Sequence, residues 1–218
     1  MKKIICLLMV FACMFSMASC NLFNKDNGDG EVKSDVAKIS DIIAESQPTR
    51  IVSHSDYQIT GGKLLKGIYT TQVDRVSGKS QFDFSYVKRA DVADMNPAGS
   101  YVSVEGTVCY NADGSVSSEI GDAWLSSGTG YLPYSLSIAE VRFESYTVSE
   151  DKNTLTAEIT SAESRRVFGV QIESEGNITL TIETDGTYLH YVTVSYATEN
   201  ATVTVKTSYD YGLVTLDF

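Results

Sequence analysis

Cysteine, histidine, proline and positive charge are all scarce in this chain, and each shortage removes a class of explanation. Four cysteines occur in 218 residues. Cys6 and Cys13 sit in an apolar N-terminal run that Cys20 closes, so Cys109 stands alone in the body of the chain. A lone thiol forms no intramolecular disulfide, and the fold must be held by its core, which a domain of this size can supply. No base lies near Cys109 in sequence, and its alternating neighbourhood Val102 to Tyr110 reads as a strand with a small buried residue, not a nucleophile. The only histidines are His54 and His190, too few for a clustered metal site. Paired Cys-x-x-Cys, His-Glu-x-x-His, Gly-x-Ser-x-Gly and a phosphate-binding glycine loop are all missing. Acid pairs such as Glu173/Glu175 and Glu183/Asp185 fit a solvated strand face better than paired carboxylate catalysis. The chain therefore reads as a non-enzyme with no cofactor and no metal. Seventeen basic residues against 28 acidic ones give a net charge of −11, which argues against a nucleic-acid partner and against adhesion of the body to anionic lipid.

Long hydrophobic runs are equally rare. The one present, Ile4 to Phe15, follows the positive pair Lys2 and Lys3 and leads into Met17-Ala18-Ser19-Cys20. A charged start, a short apolar core and small residues before a cut site make a secretory signal. Ile4 to Ala18 falls short of the roughly 17 residues that a spanning helix needs. Small residues placed directly before a cysteine resemble the lipobox of bacterial lipoproteins, although Met17 stands where leucine is commoner. That resemblance implies cleavage between Ser19 and Cys20, lipidation of Cys20 and an extracytoplasmic body attached to a membrane through that residue. Residues 1–19 are then the signal peptide, 20–33 a flexible Asn-, Asp- and Gly-rich tether, and 34–218 a single domain.

Within that domain one helix is expected, from Ser34 to Gln47. Ser34 or Asp35 can cap it, Val36, Ile39, Ile42 and Ile43 share a face, and Pro48 stops it. From Arg50 the period changes to two, and about ten strands follow before Tyr209. Among them are Ser80 to Lys88, Leu136 to Val148, Val167 to Ile172, Asn177 to Glu183 and Tyr188 to Tyr196. Gly61-Gly62, Ala112-Asp113-Gly114 and Asp185-Gly186 supply turns. Ser161 to Arg166 suits a short helical turn. Gly121 to Pro133, which holds the only tryptophan, Trp124, reads as a covering segment or a long connection.

A helix ending at Pro48, early hairpins, and the closing alternation from Ile178 to Leu189, all behind a lipobox, resemble the LolA/LolB-like and LppX-like lipoproteins. The resemblance spans Ser34 to Tyr211. It implies a mainly β fold: a single curved antiparallel sheet (a half-barrel) closed by an N-terminal helix, with lipid or acyl chains bound in the hollow. Phe82/Phe84/Tyr86, Ile178/Leu180/Ile182 and Val192/Val194/Tyr196 are the alternations that would line it. The candidate ligand-binding residues are accordingly Phe82, Phe84, Tyr86, Trp124, Leu180, His190, Val192 and Val194. His190 shares a parity with Val192 and would point inward near a strand end. The thirteen tyrosines suit a pocket rim or a recognition surface equally well. The alternative reading is therefore a filled β-sandwich or barrel that binds a protein or a glycan.

Overall fold

The computed structural model describes residues 30–90, 100–123 and 136–218, with side chains in the first helix from residue 35 onward. Helix α1 (Gly30–Glu45) precedes strands β1 (Arg50–Ile59), β2 (Leu64–Val73), β3 (Ser80–Arg89), β4 (Tyr101–Tyr110) and β5 (Val116–Gly121). After these come β6 (Ser145–Val148), β7 (Thr154–Ile159), helix α2 (Ser161–Phe168), β8 (Ile178–Thr184), β9 (Leu189–Thr198) and β10 (Ala201–Asp210). All ten strands join one open antiparallel sheet in the order β5-β4-β3-β2-β1-β10-β9-β8-β7-β6. The fold is mainly β.

That order contains two meanders. Strands β1 to β5 step outward one way and β10 back to β6 the other, so every pairing but one is between neighbours in sequence. The exception is the seam between β1 and β10, where Arg50 faces Asp210 and Ile59 faces Ala201 over ten residues of each strand. Tight turns make the local pairings cheap. At Asp185-Gly186 the glycine takes φ 88°, open to it because it lacks a Cβ. The Asp185 carboxylate accepts the N–H groups of Thr187 and Tyr188 and holds the turn closed.

Three expectations from sequence need correction. Helix α1 begins at Gly30, so residues 30–33 belong to it and positions 34 and 35 lie inside it, not at its start. Asp35 is buried and pairs with Lys152 at 3.1 Å and Lys38 at 3.3 Å. Burial pushes its carboxyl up, but the hydrogen bonds and charges of the two lysines outweigh this, and its pKa ends below the ordinary carboxylate value. Leu136 to Val148 is a strand only over Ser145–Val148. Before it the chain turns through Glu140 (φ 63°) and buries Ile138 in the core. Val167 to Ile172 is not a strand either. Thr160 accepts the Glu163 N–H and starts α2, which runs through Val167 and Phe168 until Gly169, in a left-handed conformation, returns its N–H to Arg165. Glu163 in the first turn and Arg165 and Arg166 in the last complement the helix dipole.

The larger core cluster lies on the second meander. It gathers Leu155, Ile159, Ile178, Leu180, Ile182, Val192 and Val194 with Ile39 and Ile43 from α1 and Val167 and Phe168 from α2. Cys109 is free and buried. Ile39 is fully buried while Ile42 is only half-buried, so α1 seats itself mainly through Ile39 and Ile43. Truncating Ile39 to alanine is expected to cost about 2–5 kcal/mol in denaturant unfolding. Lys38→Ala, which removes an exposed side chain and leaves buried Asp35 its second partner Lys152, should stay within about 0.5 kcal/mol. Equal losses at the two positions would show that α1 is not docked.

Candidate functional site

Strand register decides which side chains share a face. Phe82 pairs with Thr71 and Val108, Phe84 with Tyr69 and Gly106, and Tyr86 with Gly67 and Val104. Thr71, Tyr69 and Gly67 pair in turn with Ile51, Ser53 and Ser55. Across the seam these face Tyr209, Thr207 and Val205. Thr207 and Val205 then face Val192 and Val194, which face Ile182 and Leu180. Because the side-chain period of a strand is two, the three alternations picked out from sequence all lie on one face of one sheet. The opposite face carries exposed polar residues such as His54, Asp56, Lys66 and Thr179.

That shared face is not uniform. Over β2, β3 and β4 it is aromatic: Tyr69, Phe82, Phe84 and Tyr86, with Val104 and Val108, form a second cluster. Ring centroids lie 5.7 Å apart for Phe82–Phe84, 6.2 Å for Phe84–Tyr86 and 6.3 Å for Tyr69–Tyr86, within the range in which tilted rings attract. Two glycines let the rings lie down on the sheet. A Cβ on Gly67 would meet the Tyr69 hydroxyl and ring, and one on Gly106 would stand 2.7 Å from Phe84 Cζ. No described helix joins this cluster, whereas both α1 and α2 join the other.

Between the two clusters the seam mixes buried Ile51, Val203, Val205 and Tyr209 with a patch of hydroxyls. Ser53, Ser55, Thr71 and Thr207 are all buried there. Ser53 Oγ and Thr207 Oγ1 are 2.9 Å apart across the β1–β10 pair. Buried hydroxyls are tolerated when they bond one another, and these lie between the aliphatic cluster, which reaches Ile51 of β1, and the aromatic one on β2, β3 and β4.

The sequence candidates thus fall into separate places. Phe82, Phe84 and Tyr86 are together on the aromatic part. Leu180, Val192 and Val194 are on the same face but inside the helix-packed core, at 0 to 3 % exposure. His190 is taken off that face. The β8–β9 ladder shifts register at Glu183/Thr184 and pairs Thr184 with Leu189, so Leu189 enters the core in its place. His190, with 42 % of its side chain exposed, instead bonds Asp185 at 2.9 Å. Trp124 and Cys20 lie outside the described residues. Sequence reading passed over Tyr69, the hydroxyl strip and the two seating glycines. The alternation Leu65, Gly67, Tyr69, Thr71 was a visible signal for most of them, but glycine and threonine carry no apolar weight.

Among the described residues no group of histidine, cysteine and carboxylate side chains is arranged to hold a metal ion. No described helix is long and apolar enough to cross a membrane. No protein-family model matches the chain, and no curated protein matches it. The residues themselves therefore carry the functional argument.

Two measurements probe this geometry. Gly106→Ala is expected to destabilise by about 1–3 kcal/mol. Its new methyl would meet the backbone oxygens of Asp122 and Ile120 at 2.8 Å as well as Phe84, so Phe84→Ala should not rescue it. The second concerns acid. The His190 hydrogen bond, then the N–H groups of Tyr188 and Thr187, bring the Asp185 pKa down to about 2. The Ser77 hydroxyl, then the N–H groups of Ser77 and Val76, do the same for Asp74, again to about 2. A depressed carboxylate stabilises the fold above its unfolded pKa of about 4 and loses that contribution as pH falls toward its folded value. Acid unfolding of the wild type should therefore steepen between about pH 4 and pH 2. Asp185→Asn should flatten the curve in that window, and adding Asp74→Asn should flatten it further. An unchanged acid limb in the double variant would refute the assignment.

Proposed function

We propose that this chain is a bacterial lipoprotein of the LolA/LolB-like or LppX-like kind, anchored outside the cytoplasm through lipidated Cys20. In this reading the sheet is a half-barrel closed by α1, and it holds a hydrophobic ligand such as a lipid against its apolar face. One observation supports it above others: an open ten-stranded sheet with one continuous apolar and hydroxyl-bearing face, of which only the second meander is packed by described helices. Ligand sites are typically apolar with a few polar groups that fix orientation. The aromatic floor of Tyr69, Phe82, Phe84 and Tyr86 beside the Ser53/Thr207 hydroxyls has that composition. Each methylene taken up there would contribute about 0.8 kcal/mol. Leu180, Val192, Val194 and His190 then serve as frame and rim, not as lining. The rival reading, a filled module that binds a protein or glycan through its loops, draws on the near-complete burial of Leu155, Ile159, Ile178, Leu180 and Ile182.

The test uses two forms of the protein. Wild type expressed with its signal should fractionate with membranes and carry an acyl modification on Cys20, and Cys20→Ser should release it. Purified Cys20→Ser protein should yield lipid on solvent extraction and bind a fluorescent fatty acid saturably. Val104→Trp, which enlarges the floor, should lower that uptake at least about tenfold with the circular dichroism unchanged. Recovery of no lipid together with no saturable uptake of any amphiphile would replace the carrier reading with the filled module.

A further inference from the structure

The two chain segments that flank the sheet cross over its seam in opposite directions. Helix α1 precedes β1 but packs on the second meander: Ile39 and Ile43 enter its core, Asp35 pairs with Lys152, and Ser46 Oγ accepts the Leu189 N–H at 3.2 Å. Residues 211–218 follow β10 and run the other way. Tyr211 still belongs to the second meander, stacking on Tyr188 with centroids 4.6 Å apart and donating its hydroxyl to Leu189 O at 2.8 Å. From there the segment passes the start of β1, where Thr49 Oγ1 donates to the carbonyl of Gly212. It then reaches the β2–β3 turn. Leu216 is buried, and its N–H points at Asp74 Oδ2, 3.4 Å away. Lys79 Nζ bonds the Phe218 carbonyl oxygen and lies 5.0 Å above the Phe218 ring. Asp74 and Lys79 themselves close that turn through a backbone bond of 2.9 Å.

We propose that residues 211–218 are a clasp that locks the first meander to the second across the seam. Its loosening frees the β2–β4 part of the sheet to open while β7–β9 stay closed. The need for such a device follows from the seam itself. Among the described residues the β1–β10 ladder is the only strand pairing between the meanders. The side chains it buries on the apolar face include Ser53, Ser55 and Thr207, which contribute less hydrophobic stabilisation than the aliphatic residues on either side. The first meander enters the aliphatic core through Ile51 of β1, whereas the β2–β4 residues form a cluster of their own, and separate clusters can open separately, as partial unfolding units do in other proteins. The clasp adds contacts that one meander cannot make alone. This inference is independent of whether the aromatic floor binds a ligand.

Native-state hydrogen exchange on the full chain decides it. The double variant Leu216→Ala/Lys79→Ala removes the buried side chain and the Phe218 contacts but leaves the Asp74–Lys79 backbone turn in place. Amides of β2, β3 and β4 should exchange at least about tenfold faster than in wild type, with those of β7, β8 and β9 changed by less than about twofold. Leu213→Ala, at a fully exposed position of the same segment, should change neither group. Should the double variant fail to fold, Lys79→Ala alone carries the test and should accelerate the same strands selectively. Acceleration spread equally over both meanders, or none at all, would overturn the proposal.

Discussion

The β1–β10 seam is the pairing on which the rest of the structure depends. Every other ladder in the sheet joins neighbours in sequence and can form from a hairpin or a short connection. The seam must bring Arg50–Ile59 against Ala201–Asp210, and the loop it closes is most of the chain. Loop-closure entropy therefore opposes it more than any other contact in the sheet. Its ten-residue strands are correspondingly among the longest in the fold. Its register is also the least free to slip. A shift by one residue would turn Ile51 to the outer face and exposed His54 to the inner one, and with them every inward residue of one meander relative to the other. The single apolar face exists because this one long-range register agrees with eight local ones.

The composition of the seam then explains the two-core layout. Aliphatic residues from β7, β8 and β9 interlock with α1 and α2, and aromatic residues from β2 and β3 lie over glycines; the first set crosses the seam only at its end, through Ile51 beside Tyr209, while Ser53, Ser55 and Thr207 occupy its middle. A hydroxyl pair such as Ser53–Thr207 satisfies itself and contributes little net stability when compared with buried methylenes. Cohesion between the meanders rests on the main-chain ladder, on Ile51 at one end of it and on the crossed segments. The fold behaves as one sheet by hydrogen bonding and as two domain-like halves by packing.

Much of this was legible in the sequence and some was not, for identifiable reasons. The change of period at Arg50, the turn at Asp185-Gly186 and the inward sets Phe82/Phe84/Tyr86 and Ile178/Leu180/Ile182 are local patterns, and the register confirms that they share a face. The start of α1 was misplaced because Ser34 and Asp35 look like caps, whereas Asp35 is used inside the helix to hold Lys152 from a turn more than a hundred residues away. Residues 167–172 carry strand-like composition, but the capping pair Thr160 and Glu163 commits the segment to α2 first. His190 has inward parity only while the ladder is regular, and a register shift of this kind leaves no mark in alternation. The hydroxyl strip was invisible because serine and threonine on a strand read as its wet face unless the partner strands are known.

The two halves also differ in how they could admit anything else. Around Leu180 the side chains interdigitate with helices, and enlarging the space there means moving backbone or whole elements. On the first meander the largest side chains are planar rings laid over glycines, Tyr69 on Gly67 and Phe84 on Gly106. These rings are buried too, Tyr69 at 1 % and Phe84 at 3 % exposure, but no described helix packs on them, so a change of side-chain rotamer reshapes this half without moving a described helix. That mechanical difference is why the proposed ligand site is assigned to Tyr69, Phe82, Phe84 and Tyr86, and why the aliphatic half is read as the frame that holds them.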